Sequence, residues 1–287
     1  MIDLHTHTTA SDGRCSPAEL VTRAAAAGVT VLSVTDHDTV AGCAEASAAA
    51  RAAGLSLVPG IEVTAVLDDG DVHVLGYFFD TESPLLAAFL AEQRQRRIDR
   101  VRRMIDRLAS SGIRLDADAI LAPGIEDPTR SVGRPWIARA LVAAGHVRNT
   151  NEAFDRWLSK GRPAFVPRAA APPAEVIARL HEAGGIASMA HPALMGLDDR
   201  IPEFAAAGLD AIEVYHSKHD EKAVAHYLEL AERLDLAMSG GSDFHADDMH
   251  GGLGPGSVAL PRQAFDGLQR RVALRRSQAA GPAHDQR

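Results

Sequence analysis

The chain has 287 residues, a hydrophobic fraction of 46% and a formal net charge of −8 at pH 7. This length allows one large α/β domain or two smaller domains with buried cores, and the acidic balance argues against a protein that coats nucleic acid. The sequence shows neither a signal peptide nor a run of about 18 apolar residues that would span a membrane. We therefore expect a cytoplasmic protein whose two cysteines, Cys15 and Cys43, are reduced.

The first 83 residues alternate between predicted strands and helices. The stretch 2–6 alternates apolar and polar residues, as a strand does, and a capping box at 16–19 opens a helix that ends at Gly28. An alanine-rich helix ends at Gly54, and the pair Asp69-Gly70 indicates a hairpin turn. Further strands are predicted at 31–35, 55–61, 63–67 and 72–79. Strands that alternate with helices favour an α/β fold with a parallel sheet.

Residues 84–163 show only helical periodicity, at 85–111, 116–121, 135–144 and 151–158. This stretch therefore predicts a helical insertion. The alternation resumes over 164–276, with helices at 174–183 and 221–234, a helix that ends at 207, and strands at 186–190, 211–215 and 236–239. The last residues, 277–287, have no apolar period, and we expect them to form a disordered tail.

Side chains that can bind metal ions recur at the ends of the predicted strands. His5 and His7 share one face of the first strand, about 7 Å apart, so both imidazoles can reach one ion. Residues at the carboxyl ends of strands meet in the active sites of βα barrels. The candidates at strand ends are His5, His7, His37, Glu62, His191, Asp243 and His245, to which His73 within a strand and Asp12 in a loop are added.

Nine ligands exceed the needs of one ion. Catalytic sites commonly use three protein ligands for each ion, so the nine would hold three ions, most easily with Glu62 as a bridge. Imidazoles and carboxylates without thiolates favour Mn²⁺, Fe²⁺ or Zn²⁺ over a structural zinc site. His73 could instead be a hydrogen-bonded core residue and Asp12 a turn former, while Asp38 is a candidate for orienting a ligand.

The segments that carry these residues are HTHTTASDG (5–13), TDHD (35–38), GIE (60–62), VHVLGY (72–77), AHP (190–192) and GSDFH (241–245). In this order they resemble the polymerase and histidinol phosphatase (PHP) family. The resemblance implies a distorted (β/α)7 barrel made of residues 1–83 and 164–276, with 84–163 as an inserted substrate cap. It also implies a centre of three divalent ions, for which we expect Mn²⁺, with Zn²⁺ or Fe²⁺ as alternatives. The implied ligands are His5, His7, Glu62 and Asp243 for the first ion, Asp12, His37 and His245 for the second, and Glu62, His73 and His191 for the third.

The insertion is rich in arginine. An apolar stripe in its first helix leaves one row of arginines on the opposite face, although a solvated face balanced by Asp99 and Asp106 is an alternative. The segment 129–135 places arginines and Gly133 before a helix, which suits an anion, and 160–162 adds a basic turn. The stripe consists of Ile98, Val101, Ile105 and Leu108, the opposite row of Arg96, Arg100, Arg103 and Arg107, and Arg97 and Arg102 flank the stripe.

With these basic segments, and with the insertion between the His73 and His191 segments, the sequence resembles the nucleoside 3′,5′-bisphosphate phosphatase branch of the family. Members of that branch remove the 3′-phosphate and leave a 5′-mononucleotide, and some relatives shorten small RNAs from the 5′ end. The resemblance thus implies a phosphorylated nucleotide or short RNA as substrate, without a membrane or a stable DNA partner. It implies catalytic roles for His37 and His245, and substrate contacts from Arg97, Arg100, Arg102, Arg103, Gly133 and Arg134.

Other functions remain open on the sequence alone. A PHP histidinol phosphate phosphatase, or another small-molecule phosphatase, would need no second anion pocket. A proofreading module would need single-stranded nucleic acid and a much larger chain, and a non-enzymatic metal-binding module would not need all nine ligands. His216 and His219 could line the pocket or face solvent, and no role is assigned to His181, His226, His250 and His284.

Overall fold

A computed structural model of the chain describes residues 1–68, 70–127, 132–246 and 253–279. The predictions made for Asp69, for 129–131, for His250 and for the tail from 280 to 287 lie outside these ranges. Within them, no helix combines the length and the apolar character needed to cross a membrane. Both cysteines are free, as expected.

Seven strands form one sheet in which each strand pairs with the next along the chain. They are β1 (Ile2–Asp3), β2 (Val31–Val34), β3 (Ser56–Leu67), β4 (Gly70–Tyr77), β5 (Ile186–Met189), β6 (Ala211–His216) and β7 (Ala237–Gly241). The first and last strands also approach each other, since the Leu4 N–H donates to the Gly240 carbonyl at 3.2 Å and Thr6 forms a parallel bridge with Phe244. The sheet is therefore nearly closed, and the predicted distorted seven-stranded barrel is confirmed.

The distortion comes from β4. This strand runs antiparallel to both β3 and β5, whereas the other neighbouring pairs are parallel. The expected parallel alternation is therefore interrupted at the hairpin. Because β4 is reversed, its last residue, Tyr77, lies beside Gly60, near the start of β3. The chain thus leaves β4 at the end of the barrel where the parallel strands begin.

Helices surround the barrel and form the insertion. Before the insertion, the barrel carries α1 (Pro17–Ala26) and α2 (Gly42–Ala53). The insertion contains α3 (Pro84–Ser110), α4 (Ala117–Glu126), α5 (Arg134–Ala143) and α6 (Thr150–Ala153), which continues as a π-helical turn over Phe154–Leu158. The chain then forms α7 (Pro173–Glu182), α8 (Pro192–Met195), a 3₁₀ turn (Asp198–Arg200), α9 (Ile201–Ala206), α10 (Glu221–Arg233) and α11 (Arg262–Ala279).

Two helix boundaries bear directly on the predictions. The Ser16 hydroxyl accepts the Glu19 N–H at 3.2 Å and caps α1, as the capping box predicted. At the other end of the chain, α11 continues to Ala279, three residues into the segment expected to be a tail. Leu268 of this helix packs with Ile2 and Leu260 against the barrel, so burial of an apolar face holds the helix in place.

Helix α3 joins the barrel to the insertion. At 27 residues it is about 40 Å long. Its first half packs on the barrel through Leu86, Phe89 and Leu90, and its second half forms the core of the insertion. That second core contains Ile98, Val101, Met104, Ile105 and Leu108 together with Leu121, Ile137, Leu141, Leu158, Ala164 and Val166.

The apolar stripe predicted that Arg100 lies on the face of α3 away from the core. In the structure this face is covered at Arg100. It is only 5% exposed, because Phe165 and Val166 cover this side of the helix. The Arg100 Nε–H donates to the Val166 carbonyl at 2.8 Å, and the guanidinium lies 5.7 Å from the centre of the Phe165 ring. The segment that returns from the insertion to the barrel therefore buries this arginine.

Candidate active site

The nine predicted ligands meet at one end of the barrel. Most follow the parallel strands β1, β2, β5 and β7, as expected, but Glu62 does not end its strand: β3 continues five residues further, to Leu67. The two strands predicted at 55–61 and 63–67 are one, because β4 pairs with β3 from Gly60 to Leu67. His73 of β4 lies opposite Thr64, so the reversed strand brings its imidazole to the same site.

Glu62 lies at the centre of the site and is 1% exposed. Its two carboxylate oxygens face different groups of imidazoles. One oxygen, Oε1, lies 2.8 Å from His73 Nδ1 and 3.0 Å from His191 Nε2. The other, Oε2, lies 3.3 Å from His5 Nε2, 3.1 Å from His7 Nε2 and 3.3 Å from His37 Nδ1. This division suits a carboxylate that bridges two ions.

Two further carboxylates flank Glu62. Asp243 Oδ1 lies 3.4 Å from His5 Nε2 and 3.3 Å from His7 Nε2. On the other side, Asp12 Oδ1 lies 3.3 Å from His245 Nε2, and Asp12 Oδ2 lies 3.7 Å from His37 Nε2. The described residues thus form four overlapping groups with converging ligand atoms: His7, Asp12, His37 and His245; His5, His216 and Asp243; His5, Glu62 and His191; and His37, Glu62 and His73.

The chemistry of these groups fits divalent metal ions. Both ring nitrogens of His7 and the Nδ1 atoms of His37, His73 and His191 are buried and form no well-aligned hydrogen bond among the described residues, although carboxylate oxygens of Glu62 and Asp243 lie near several of them. Such an arrangement is costly unless another group satisfies these nitrogens. Two ligand atoms that each lie about 2.1 Å from one ion are separated by about 3.0 to 3.4 Å in octahedral or tetrahedral coordination. Most of the nitrogen–oxygen separations around Glu62 and Asp243 lie in or near this range.

Mutual electrostatics set the charges of the site. Burial alone would raise the pKa of Glu62, but the adjacent His37, His73 and His5 outweigh it and hold that pKa well below its usual range. Burial and neighbouring imidazoles hold the pKa of His37 well below its ordinary value. Burial also opposes a charge on His7, but Asp243 and Glu62 raise its pKa to about 10. An ion that binds His7 at neutral pH would therefore displace a proton.

Residues missed by the sequence analysis support the ligands. Glu213 is completely buried; its Oε1 lies 2.9 Å from His5 Nδ1, and its Oε2 accepts the His191 N–H at 2.7 Å. Contacts of this kind fix the orientation of a ligating imidazole. A glutamate inside the otherwise apolar predicted strand 211–215 was the signal available in the sequence.

The backbone beneath the ligands is constrained. His191 and Asp243 have positive φ angles of 27° and 55°, values that cost energy for residues other than glycine. Their N–H groups are held by Glu213 Oε2 and by the His5 carbonyl. Gly241 allows β7 to approach β1, since a Cβ at this position would lie 2.3 Å from the His5 nitrogen.

A second polar cluster lies beside the metal ligands. We define the arginine cavity by the arginines that line it, Arg97, Arg100, Arg134 and Arg168, together with Val101, Met104, Val132 and Gly133. Asp38 forms an ion pair with Arg97, and Asp71 lies 3.2 Å from Arg168 Nε and 3.7 Å from Arg134 Nη2. Arg168 was not anticipated, because it stands alone in a proline-rich segment without a local pattern.

The structure separates the predicted substrate contacts into two sets. It brings Arg97, Arg100, Gly133 and Arg134 to the arginine cavity, but not Arg102 or Arg103. Both of these are exposed, and Arg102 lies 3.2 Å from Asp118 of α4. Lys160 and Arg162 are exposed as well. Helical geometry explains the division, because residues two or three positions beyond Arg100 point in other directions around α3.

Asp38 has a different role from the one expected. Instead of orienting a metal ligand, it accepts the Thr64 N–H at 2.7 Å and pairs with Arg97. Two of the histidines without an assigned role pair with carboxylates away from the site: His181 with Asp210 at 2.8 Å and His226 with Asp198 at 2.9 Å.

Comparisons with known proteins agree with this geometry. The sequence pattern of the PHP domain family matches residues 3–119. A 5′-3′ exoribonuclease from Haemophilus influenzae is 39% identical over 250 residues, covering 85% of this chain and 89% of the relative. A 3′,5′-nucleoside bisphosphate phosphatase from Chromobacterium violaceum is 36% identical over 250 residues, covering 85% and 87%.

Solved structures give the same result. The crystal structure of a proposed metal-dependent phosphoesterase from Bifidobacterium adolescentis superposes with a TM-score of 0.82 at 34% identity, covering 94% of this chain and 95% of that one. Similarity thus extends over the barrel and the insertion. With its cluster of converging imidazoles and carboxylates, the chain belongs to the PHP family and is a metal-dependent hydrolase of phosphate esters.

Proposed function

We propose that this enzyme removes the 3′-phosphate from nucleoside 3′,5′-bisphosphates and releases 5′-mononucleotides. The observation that carries the proposal is the position of the arginine cavity directly beside the metal ligands. The metal centre would hold the phosphate that is hydrolysed, and the arginine side chains that line the cavity would bind the other one. The name of the C. violaceum relative supports this assignment, and the name of the H. influenzae relative, a 5′-3′ exoribonuclease, adds RNA as a second class of substrate.

Strand geometry connects the two subsites. Glu62 and Thr64 lie on the same face of β3, and so do His73 and Asp71 on β4, in each case one two-residue step of about 7 Å apart. The Thr64 hydroxyl oxygen lies 3.0 Å from Arg97 Nη2, and Asp71 contacts Arg134 and Arg168. One small molecule with two phosphates can therefore contact both subsites.

Charge in the arginine cavity favours an anion. Four guanidinium groups face only two carboxylates, Asp38 and Asp71, which leaves two positive charges uncompensated. Burial and the adjacent Arg168 and Arg134 lower the pKa of Arg100 to about 9, and burial with nearby Arg97 lowers the pKa of Arg168 to about 10. A phosphate dianion would offset this repulsion through charge-assisted hydrogen bonds. Histidinol phosphate has no second phosphate to place there, and its amine would be repelled.

In the proposed reaction, the metal ligands, His37 and His245, and the arginines would have different roles. Divalent ions held by the nine ligands would activate water and neutralise charge on the transferred phosphoryl group; we expect Mn²⁺, although imidazoles and carboxylates also suit Zn²⁺ and Fe²⁺. His37 and His245 face Asp12 and would stabilise phosphoryl oxygens. The arginines would orient the substrate, and Asp38 would fix the direction of Arg97. A cytoplasmic location remains a prediction.

Phosphate release from a panel of substrates tests the proposal. With Mn²⁺ present, phosphate release from adenosine 3′,5′-bisphosphate, 3′-AMP, 5′-AMP and histidinol phosphate is compared at equal concentration, and release of 5′-mononucleotides is measured for a short 5′-phosphorylated RNA. We expect the bisphosphate to be hydrolysed fastest, with 5′-AMP as its product, and 3′-AMP to be slower because it leaves the arginine cavity empty. Faster hydrolysis of histidinol phosphate, or equal rates for the bisphosphate and 3′-AMP, would contradict the assignment.

A further inference from the structure

Strand β6 carries none of the nine predicted ligands, yet it places two buried polar side chains at the metal centre. Glu213 contacts His5 and His191, as described above. The side chain of His216, at the end of the strand, is 0% exposed. Its ring centre lies 6.0 Å from that of His5 and 5.4 Å from that of His191. His216 therefore lies against the wall of the site.

The hydrogen bonds of His216 show which nitrogen carries the proton. Its Nδ1 accepts the backbone N–H of Lys218 at 3.1 Å, so this nitrogen presents its lone pair. The proton of a neutral ring must then be on Nε2, which lies 3.4 Å from Asp243 Oδ2. The geometry thus makes His216 a hydrogen-bond donor to the Asp243 carboxylate.

The hydrogen bond from Lys218 also disfavours His216 as a metal ligand. His216, His5 and Asp243 do bring one ligand atom each to within 4.8 Å of one another, and His216 Nε2 faces Asp243. However, a ring that binds an ion through Nε2 carries its proton on Nδ1, and that proton would point at the Lys218 N–H. Two donors would then face each other in a partly buried position, and the hydrogen bond between them would be lost.

We propose that His216 is a positioning residue that holds the carboxylate of Asp243. With Oδ2 fixed by His216, the other oxygen, Oδ1, faces His5 and His7, where the first ion is expected. The ring of His216 is itself held by His219, 5.3 Å away, whose Nδ1–H donates to the Val214 carbonyl at 2.9 Å. This inference rests on the metal centre of the proposed function and is independent of the substrate.

Loss of the hydrogen bond should weaken metal binding. Removing a partner that orients a ligand typically lowers metal affinity by about 10- to 100-fold. We therefore expect His216→Ala to weaken one class of Mn²⁺ site by about this factor while the others remain unchanged. His216→Gln should restore the affinity to within about threefold of the original, because its amide N–H can donate from nearly the position of Nε2.

The experiment measures metal affinity by calorimetry and by competition with a chelator, together with the absorption spectrum of the Co²⁺-loaded protein. His226→Gln is the matched control, since His226 lies on α10, is half exposed and pairs with Asp198 away from the metal centre. Circular dichroism establishes whether each variant is folded. If His216→Ala does not fold, the metal affinity and the Co²⁺ spectrum of His216→Gln provide the test. The proposal would be overturned if His216→Gln also lost affinity and changed the Co²⁺ spectrum, as loss of a ligand would, or if neither variant changed affinity. None of these readouts uses a phosphate ester, so failure of the proposed substrate would be seen separately.

Discussion

Replacing Arg134 by alanine tests the arginine cavity independently of the metal centre. Arg134 lies at the start of α5, with its guanidinium 3.7 Å from Asp71 and 5.8 Å from the centre of the Phe154 ring. It touches none of the nine ligands in the structure, so Arg134→Ala should leave the metal centre intact. The excess charge of the arginine cavity would fall from two to one.

One charge-assisted hydrogen bond contributes about 1.5 to 3 kcal/mol, which corresponds to about a 10- to 150-fold loss in kcat/KM for adenosine 3′,5′-bisphosphate. The loss should appear mainly in KM if the contact is equally strong in the ground state and the transition state. With 3′-AMP, which has no phosphate for this cavity, kcat/KM should change by less than about threefold.

Steady-state kinetics with both substrates measure this selectivity. Arg102→Ala is the matched control, because Arg102 is an exposed arginine of the same insertion, paired with Asp118. A separate subsite for the second phosphate would be refuted if Arg134→Ala slowed both substrates equally, or if Arg102→Ala had the same effect on the bisphosphate.

Three further predictions concern the metal centre and the fold. Glu62→Gln removes the charge that five imidazoles face, so the metal content measured by mass spectrometry should fall and hydrolysis should be lost; a full metal complement would contradict this. Gly241→Ala places a Cβ against His5 and should lower the free energy of unfolding in urea by about 1 to 3 kcal/mol, together with metal affinity. Burial raises the pKa of Cys43 to about 11; since a raised pKa leaves little thiolate at pH 8, iodoacetamide should label Cys43 slowly in the native protein and rapidly in urea, as followed by mass spectrometry.

Much of the fold and of the candidate metal centre could be predicted from local patterns. Imidazoles and carboxylates followed short apolar runs, and parallel strands bring such positions to one edge of a barrel. Glu62 and His73 were the exceptions. Their place depends on a long antiparallel hairpin, and an apolar run interrupted by a glutamate reads as two strands until the pairing with β4 is known.

The arginine cavity could be predicted only in part, because burial of a helix face depends on distant residues. Arg100 and Arg103 belong to the same predicted row of α3, yet the return of Phe165 and Val166 buries Arg100, whereas Arg103 is exposed. Arg168 and His216 lacked any periodic signal. Their roles follow from contacts with Asp71 and Asp243, residues that lie far from them in sequence.

In the proposed function, helix α3 would set the distance between the two phosphate subsites. The reversed strand β4 ends at the side of the barrel opposite the site, so α3 runs along the barrel before Arg97 and Arg100 reach the cavity. Gln93 fixes the position of the helix along the barrel: its side-chain N–H donates to the Thr64 carbonyl at 3.5 Å, and its side-chain oxygen accepts the Ala171 N–H at 3.3 Å. Each residue of a helix advances it by about 1.5 Å and rotates it by about 100°. Deleting one residue between Gln93 and Arg97 would therefore turn the guanidinium groups away from the cavity, whereas lengthening the helix by a full turn would set the two phosphate subsites farther apart.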